Sequence, residues 1–97
     1  MKFFISQSIN WLNDAVDKDV FSQMCAIGCV EKNLDEIRDS SEIKSNSFLQ
    51  DVLKEIRKIT KIIQDGKYPP EVNKYMFECI ITRLKYFESF SSNLSTK

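Results

Sequence analysis

Histidine is missing from this chain of 97 residues, and glycine and proline occur only twice each. Each shortage removes a class of chemistry. No imidazole is available as a general base near neutral pH or as a metal ligand, which excludes histidine-dependent catalysis and mixed histidine metal sites. Gly28 and Gly66 stand too far apart to form a phosphate-cradling glycine loop. No apolar run approaches the roughly 18 residues that a membrane-crossing helix needs. Neither sign of charge is in excess, with 14 basic and 14 acidic side chains. The chain as a whole therefore has no pull toward nucleic acid or an anionic membrane.

What is present is globular. Hydrophobic residues make up 42% and charged residues 29% of the sequence, values that suit a soluble protein with one core and one domain over 1–97. Met1-Lys2-Phe3-Phe4-Ile5 faintly imitates a secretion signal. Ser6, Gln7, Ser8 and Asn10 break that apolar stretch, so it is read as the start of a helix and the location as cytoplasmic.

Apolar residues recur every three or four positions, which predicts an all-α, four-helix bundle-like domain built from two helical hairpins. Ile5, Ile9, Leu12 and Val16 mark a first helix, ending near Asp17-Lys18-Asp19. Val20, Met24, Ile27, Val30, Leu34 and Ile37 mark a second. Gly28, inside it, costs roughly 1 kcal/mol relative to alanine, and with Ala26 and Cys29 it predicts either a close helix crossing or a bend. The polar stretch 39–46 joins the hairpins. Ser47 and Gln50 form a capping-box pattern that starts a third helix, with Leu49, Val52, Ile56, Ile59 and Ile63 as its stripe and Gly66 as its stop. Lys67-Tyr68-Pro69-Pro70 is a turn, and Pro70 can open the fourth helix at its first position. That helix carries Val72, Met76, Cys79, Ile80, Arg83, Leu84, Phe87 and Phe90, and a polar tail, about 91–97, is expected to fray. Most of Tyr75, Phe77, Tyr86, Phe87 and Phe90 are assigned to the core, as is Trp11.

Cys25 and Cys29 share one helix face, and Cys79 could add a third thiolate to a metal site. A fourth ligand is lacking, so the cysteines are read as reduced, small buried hydrophobes, with no metal and no cofactor expected. The basic stripe Lys54, Arg57, Lys58 and Lys61 is balanced at helical spacing by Asp51, Glu55 and Asp65, which reads as a solvated face rather than a nucleic-acid or membrane surface.

Charge is uneven along the chain. Residues 1–42 carry eight acids against four bases, and residues 43–97 carry ten bases against six acids. The halves could attract each other in the fold, or the acidic half could face a partner. Glu31, Asp35 and Asp39 follow at four-residue steps with Glu42 next in line, if the second helix continues. Like charges at that spacing repel by a few tenths of a kcal/mol per pair, so the ridge invites a reason: a basic partner, or screening by Lys32 and Arg38. Carboxylates on a surface ridge lack the pocket that would separate their pKa values, which argues against catalysis.

The acidic ridge Glu31, Asp35, Asp39 and Glu42, the Tyr68-Pro69-Pro70 turn, and heavy use of Ile, Lys, Asn, Phe and Ser in a short histidine-free chain resemble the small helical immunity proteins of bacterial toxin systems. Within these, the contact-dependent growth inhibition type is the most similar. The resemblance spans the whole chain by character and carries over no individual residue. It implies a non-enzymatic protein that binds a cognate toxin, commonly a nuclease with a basic active site, and covers or obstructs that site. The partner-binding residues expected on this reading are Glu31, Asp35, Asp39 and Glu42, since clustered negative charge mimics nucleic-acid phosphate. The competing reading is a small helical adaptor or regulator, of a kind a phage could encode, acting on host proteins or transcription.

Overall fold

The computed structural model describes residues 2–95, and the side chains of residues 2–90. In order it forms α1 (Lys2–Ala15), α2 (Val20–Arg38), a single turn α3 (Ser41–Lys44), α4 (Ser47–Gln64) and α5 (Pro70–Ser95). No strand occurs among the described residues. The predicted four helices are present, and the polar stretch between the hairpins contributes α3 as a fifth. Helix α5 runs to Ser95, past the expected limit near residue 90, while residues 96 and 97 of the expected frayed tail lie outside the described residues.

Asp19 caps α2 in an extended conformation, its carboxylate accepting from the Ser22 amide at 3.2 Å. The start of α4 differs from the predicted capping box. Asn46, not Ser47, is the cap: its carboxamide oxygen accepts from the Leu49 amide at 3.2 Å. Gln50 reaches past it to donate to the carbonyls of Ile43 (3.1 Å) and Lys44 (3.0 Å), satisfying the end of α3 instead. Gly66 has φ +67° and closes α4 with its amide on the Ile63 carbonyl at 3.0 Å, as its position predicts. A left-handed residue there avoids the Cβ penalty only if it is glycine. Pro70 opens α5, where its missing N–H is no loss.

The four long helices stand around a common axis. Helix α1 packs against α2 and α5, and α4 packs against the same two. Cross-helix contacts run antiparallel at every edge: Asn33 to Ser8, Gln64 to the Met24 carbonyl, Arg83 to Glu55, and Ser6 to Glu88. Ile5, Leu12, Ile27, Leu34, Ile37, Leu49, Ile56, Ile63, Phe77, Ile80, Leu84 and Phe87 fill the interior. Two predicted stripes rotate slightly. In α4 the buried line is Leu49, Leu53, Ile56, Thr60 and Ile63, with Val52 and Ile59 half-buried at its edge. In α5 Phe77 and Asn73 are buried, while Val72 and Cys79 face outward.

Two clusters of buried amides interrupt this aliphatic core. Asn33 Nδ2 donates to Ser8 Oγ and Gln7 Oε1 (3.1 Å each) and to the Phe4 carbonyl (3.3 Å), tying α2 to α1. Gln23 Nε2 donates to the carbonyls of Val16 (3.1 Å) and Pro70 (3.3 Å), and its oxygen accepts from Asn73 Nδ2 at 3.0 Å. The end of α1 and the starts of α2 and α5 thus meet at one point.

Gly28 marks no close crossing, contrary to one of its two sequence readings. A Cβ built there would meet only Gln64 Nε2, at 3.8 Å, an ordinary contact. Gly28→Ala is therefore expected to raise unfolding stability by about 1 kcal/mol through helix propensity. Chemical denaturation measures it; a loss of stability would mean the backbone there is constrained in a way the contacts do not reveal.

Hydrogen bonds from the Ser22 hydroxyl, and then from its amide, hold the Asp19 carboxyl below the usual aspartate range. A lowered folded pKa contributes stability above the unfolded value, and that contribution fades as pH falls through the folded one. Carboxyl-carbon NMR should show Asp19 titrating below the usual aspartate range, and Ser22→Ala should move its midpoint upward. An unchanged midpoint in the variant would remove the hydroxyl from the explanation.

Candidate functional site

The acidic ridge does not persist as a continuous line. Helix α2 ends at Arg38, and the chain turns at Asp39 and Ser40. Glu42 therefore sits on α3, in a separate shallow concavity with Ser41, Ser45, Asn46 and Phe90. Asp35 accepts from Arg57 of α4 and pairs with Arg38 at 3.6 Å, and Asp39 accepts from Arg38 Nε at 3.3 Å. Two of the four ridge carboxylates are thus engaged inside the molecule. Glu31 lies beside Lys54, Arg57, Lys58 and Lys61 across the α2–α4 edge.

The predicted balancing of the basic stripe along α4 is also rearranged. Arg57 reaches across to Asp35, and Glu55 accepts from Arg83 of α5 at 3.2 Å. Lys74 pairs with Asp17 at 3.2 Å. The Arg57–Asp35 and Lys74–Asp17 pairs join the basic half of the chain to the acidic half, so mutual attraction of the halves is realised in the fold. These pairs are solvent-exposed, and exposed pairs contribute roughly 0–1 kcal/mol each.

Helix α4 turns two chemically different edges outward. Toward α5, a groove of about 500 Å³ is lined by Phe48, Asp51, Val52, Glu55, Thr82, Arg83 and Tyr86. Phe48 is 60% and Tyr86 58% exposed, so two aromatic rings flank one groove in open solvent. Glu42, beside Phe90, lies near the same end, because Phe90 is one helical turn beyond Tyr86. The charged residues that line this groove are Asp51, Glu55 and Arg83, of which Glu55 and Arg83 pair with each other. Toward α2 and α3, a concavity of about 490 Å³ has Ile43 and Leu53 in its wall and Arg38, Lys44, Lys54 and Arg57 around it. The sequence reading does not single out Phe48, and it assigns most of the α5 aromatics to the core. Phe77 and Phe87 are buried there and Phe90 half-buried, but Tyr75 and Tyr86 are exposed. The available signal was register: Tyr86 falls off the Ile80, Leu84, Phe87 line.

Trp11 packs half-buried on the core, as expected. The cysteines correct their reading. Cys25, Cys29 and Cys79 are unbonded and exposed rather than buried, because the stripes of α2 and α5 that enter the core pass beside them. Among the described residues no group of three or more acidic, cysteine or histidine side chains could hold a metal, and no helix is long and apolar enough to cross a membrane. In comparisons with known proteins no family model matched the chain, no curated protein matched its sequence, and no solved structure matched its fold.

Surface thiols should react in the native state. Titration of the folded protein with a thiol reagent under reducing-agent-free conditions is expected to modify all three cysteines without a prior unfolding step. Modification that waits for denaturant would return them to the core.

Proposed function

We propose that this chain is a non-catalytic binding protein of the immunity type, which neutralises a bacterial toxin by covering part of its surface through the α4–α5 face. One observation carries the reading. Phe48 and Tyr86 stand exposed in the lining of one groove, together with Arg83, which donates to Glu55. Exposed aromatic rings and arginine in a concave patch are the residue types that dominate protein-interface hot spots. Asp51 in the groove, with Glu42 in the neighbouring concavity beside Phe90, suits a basic partner surface, as the active site of a nuclease presents, and would speed association at low salt. In this arrangement Glu42 is the ridge carboxylate that lies nearest the interface. Asp35 and Asp39 act within the fold instead.

The test is protection joined to direct binding. Cells producing the chain are challenged with toxins encoded next to its gene, and affinity for the neutralised toxin is measured with purified protein. Phe48→Ala and Tyr86→Ala are each expected to weaken binding by about 2 kcal/mol or more, the range of interface hot spots. Glu42→Lys with Asp51→Lys should slow association and flatten its salt dependence. If the intact chain protects against none of these toxins, the immunity reading fails. If it protects while the aromatic variants bind unchanged, the interface lies on another face.

A further inference from the structure

The polar groups that line the α4–α5 groove are unequally committed. Arg83 donates from Nε to Glu55 and from Nη1 to the Cys79 carbonyl, each at 3.2 Å, so its charge is already matched by a carboxylate of the same lining. The Thr82 hydroxyl gives its proton to the Glu78 carbonyl at 2.9 Å and has only lone pairs left to offer a ligand. Asp51 is exposed and forms no ion pair among the described residues. With Glu55 and Arg83 cancelling, the lining keeps the single negative charge of Asp51, and the open capacity of Asp51 and Thr82 is for donors. The same lining carries exposed ring surface. Phe48, one turn before Asp51 on α4, is 60% exposed, and Tyr86, one turn beyond Thr82 on α5, is 58% exposed. Val52, half-buried, adds an apolar strip.

We infer that this groove takes an arginine side chain projecting from the partner protein. Its guanidinium donates to Asp51 and Thr82 and lies against the rings of Phe48 and Tyr86, while its methylene stem runs along Val52. Guanidinium is the cation that suits all of these groups at once, being planar, rich in donors, weakly hydrated and able to stack on aromatic faces. A carboxylate or phosphate fits less well, because Arg83 is matched by Glu55 and Asp51 repels a like charge. A purely apolar side chain would take Asp51 from water and leave it unpaired. The inference rests on the α4–α5 face being the docking face, but not on the partner being a toxin.

The probe is a blocked tripeptide of arginine between two glycines, followed by amide and aromatic-ring NMR of the full-length protein at fixed ionic strength. It is titrated into the tens-of-millimolar range, about the affinity that one exposed ion pair and ring contact provide. Ring shifts at Phe48 and Tyr86 and amide shifts at Asp51 and Thr82 are expected to saturate together. The matching lysine peptide should bind about threefold more weakly, and the citrulline peptide, neutral but of the same shape, should not saturate. Asp51→Asn removes the charge and Phe48→Leu the ring face alone, and each should weaken arginine by about threefold. Asp65→Asn makes the same change of charge at the far end of α4 and should leave binding as it is. Circular dichroism confirms that the variants fold, and the peptide series on the parent needs no variant. The inference is overturned if the arginine peptide shifts neither ring, if citrulline binds as tightly, or if Phe48→Leu binds unchanged. It is also overturned if Asp65→Asn loses as much as Asp51→Asn, or if a glutamate tripeptide binds more tightly than arginine. No toxin enters this experiment. Arginine binding by a chain that protects against no toxin keeps the groove and discards the immunity reading, and protection without arginine binding does the reverse.

Discussion

Four helices that are each apolar along a single stripe can hide those stripes only by standing around one shared axis, and the surface follows from that constraint. The interior fixes how each helix is rotated. In α4, burying Leu49, Leu53, Ile56, Thr60 and Ile63 turns Phe48, Asp51 and Glu55 toward α5 and Lys54, Arg57 and Lys61 toward α2. A helix with charges of both signs mixed along its sequence thereby acquires an acidic, aromatic edge and a basic one. The same rotation in α5 buries Phe77 and Phe87 and leaves Tyr75 and Tyr86 in water.

An aliphatic core built from isoleucine and leucine does not by itself dictate which way the helices slide, because such side chains tolerate many packings. Buried amides are less tolerant. A carboxamide displaced by one turn loses its partners inside the protein, where an unmet donor costs roughly 1–3 kcal/mol. Asn33 finds Ser8, Gln7 and the Phe4 carbonyl only in the observed register of α1 and α2. Gln23 and Asn73 join three chain segments at the other end of that hairpin. Together they set the height at which α5 begins. That height, with the left-handed stop at Gly66, brings Tyr86 level with Phe48.

Much of this architecture was legible in the sequence, and the departures have physical causes. Helix existence followed from periodicity, and Gly66 and Pro70 punctuated it because their backbones leave few alternatives. The cap of α4 shifted by one residue because Asn46 and Ser47 are both competent, and the choice depended on Gln50 finding the end of α3, a tertiary contact. Leu53 rather than Val52 entered the core because stripes of 3.6 spacing drift, so either neighbour satisfies the pattern. The cysteines fooled composition: their type is usually buried, but in α2 the core-facing line through Gln23, Ile27, Val30 and Leu34 passes them by. Of the expected ridge, Glu42 lies in a concavity of its own beside Phe90, and the engagement of Asp35 could not be known until Arg57 arrived from another helix.

Charge shows most clearly what chain order conceals. Counted along the sequence, the protein has an acidic first half and a basic second half, a division that suggests two opposed surfaces. In space that division is undone, because Asp35 meets Arg57 and Asp17 meets Lys74 across helix edges. A new division appears across the width of α4, over a distance of about 10 Å, the breadth of one helix. Salt screens interactions over a comparable length at physiological ionic strength. A charged partner approaching from either side therefore feels one edge of α4 and little of the other. The overall neutrality of the chain is no guide to what either edge attracts.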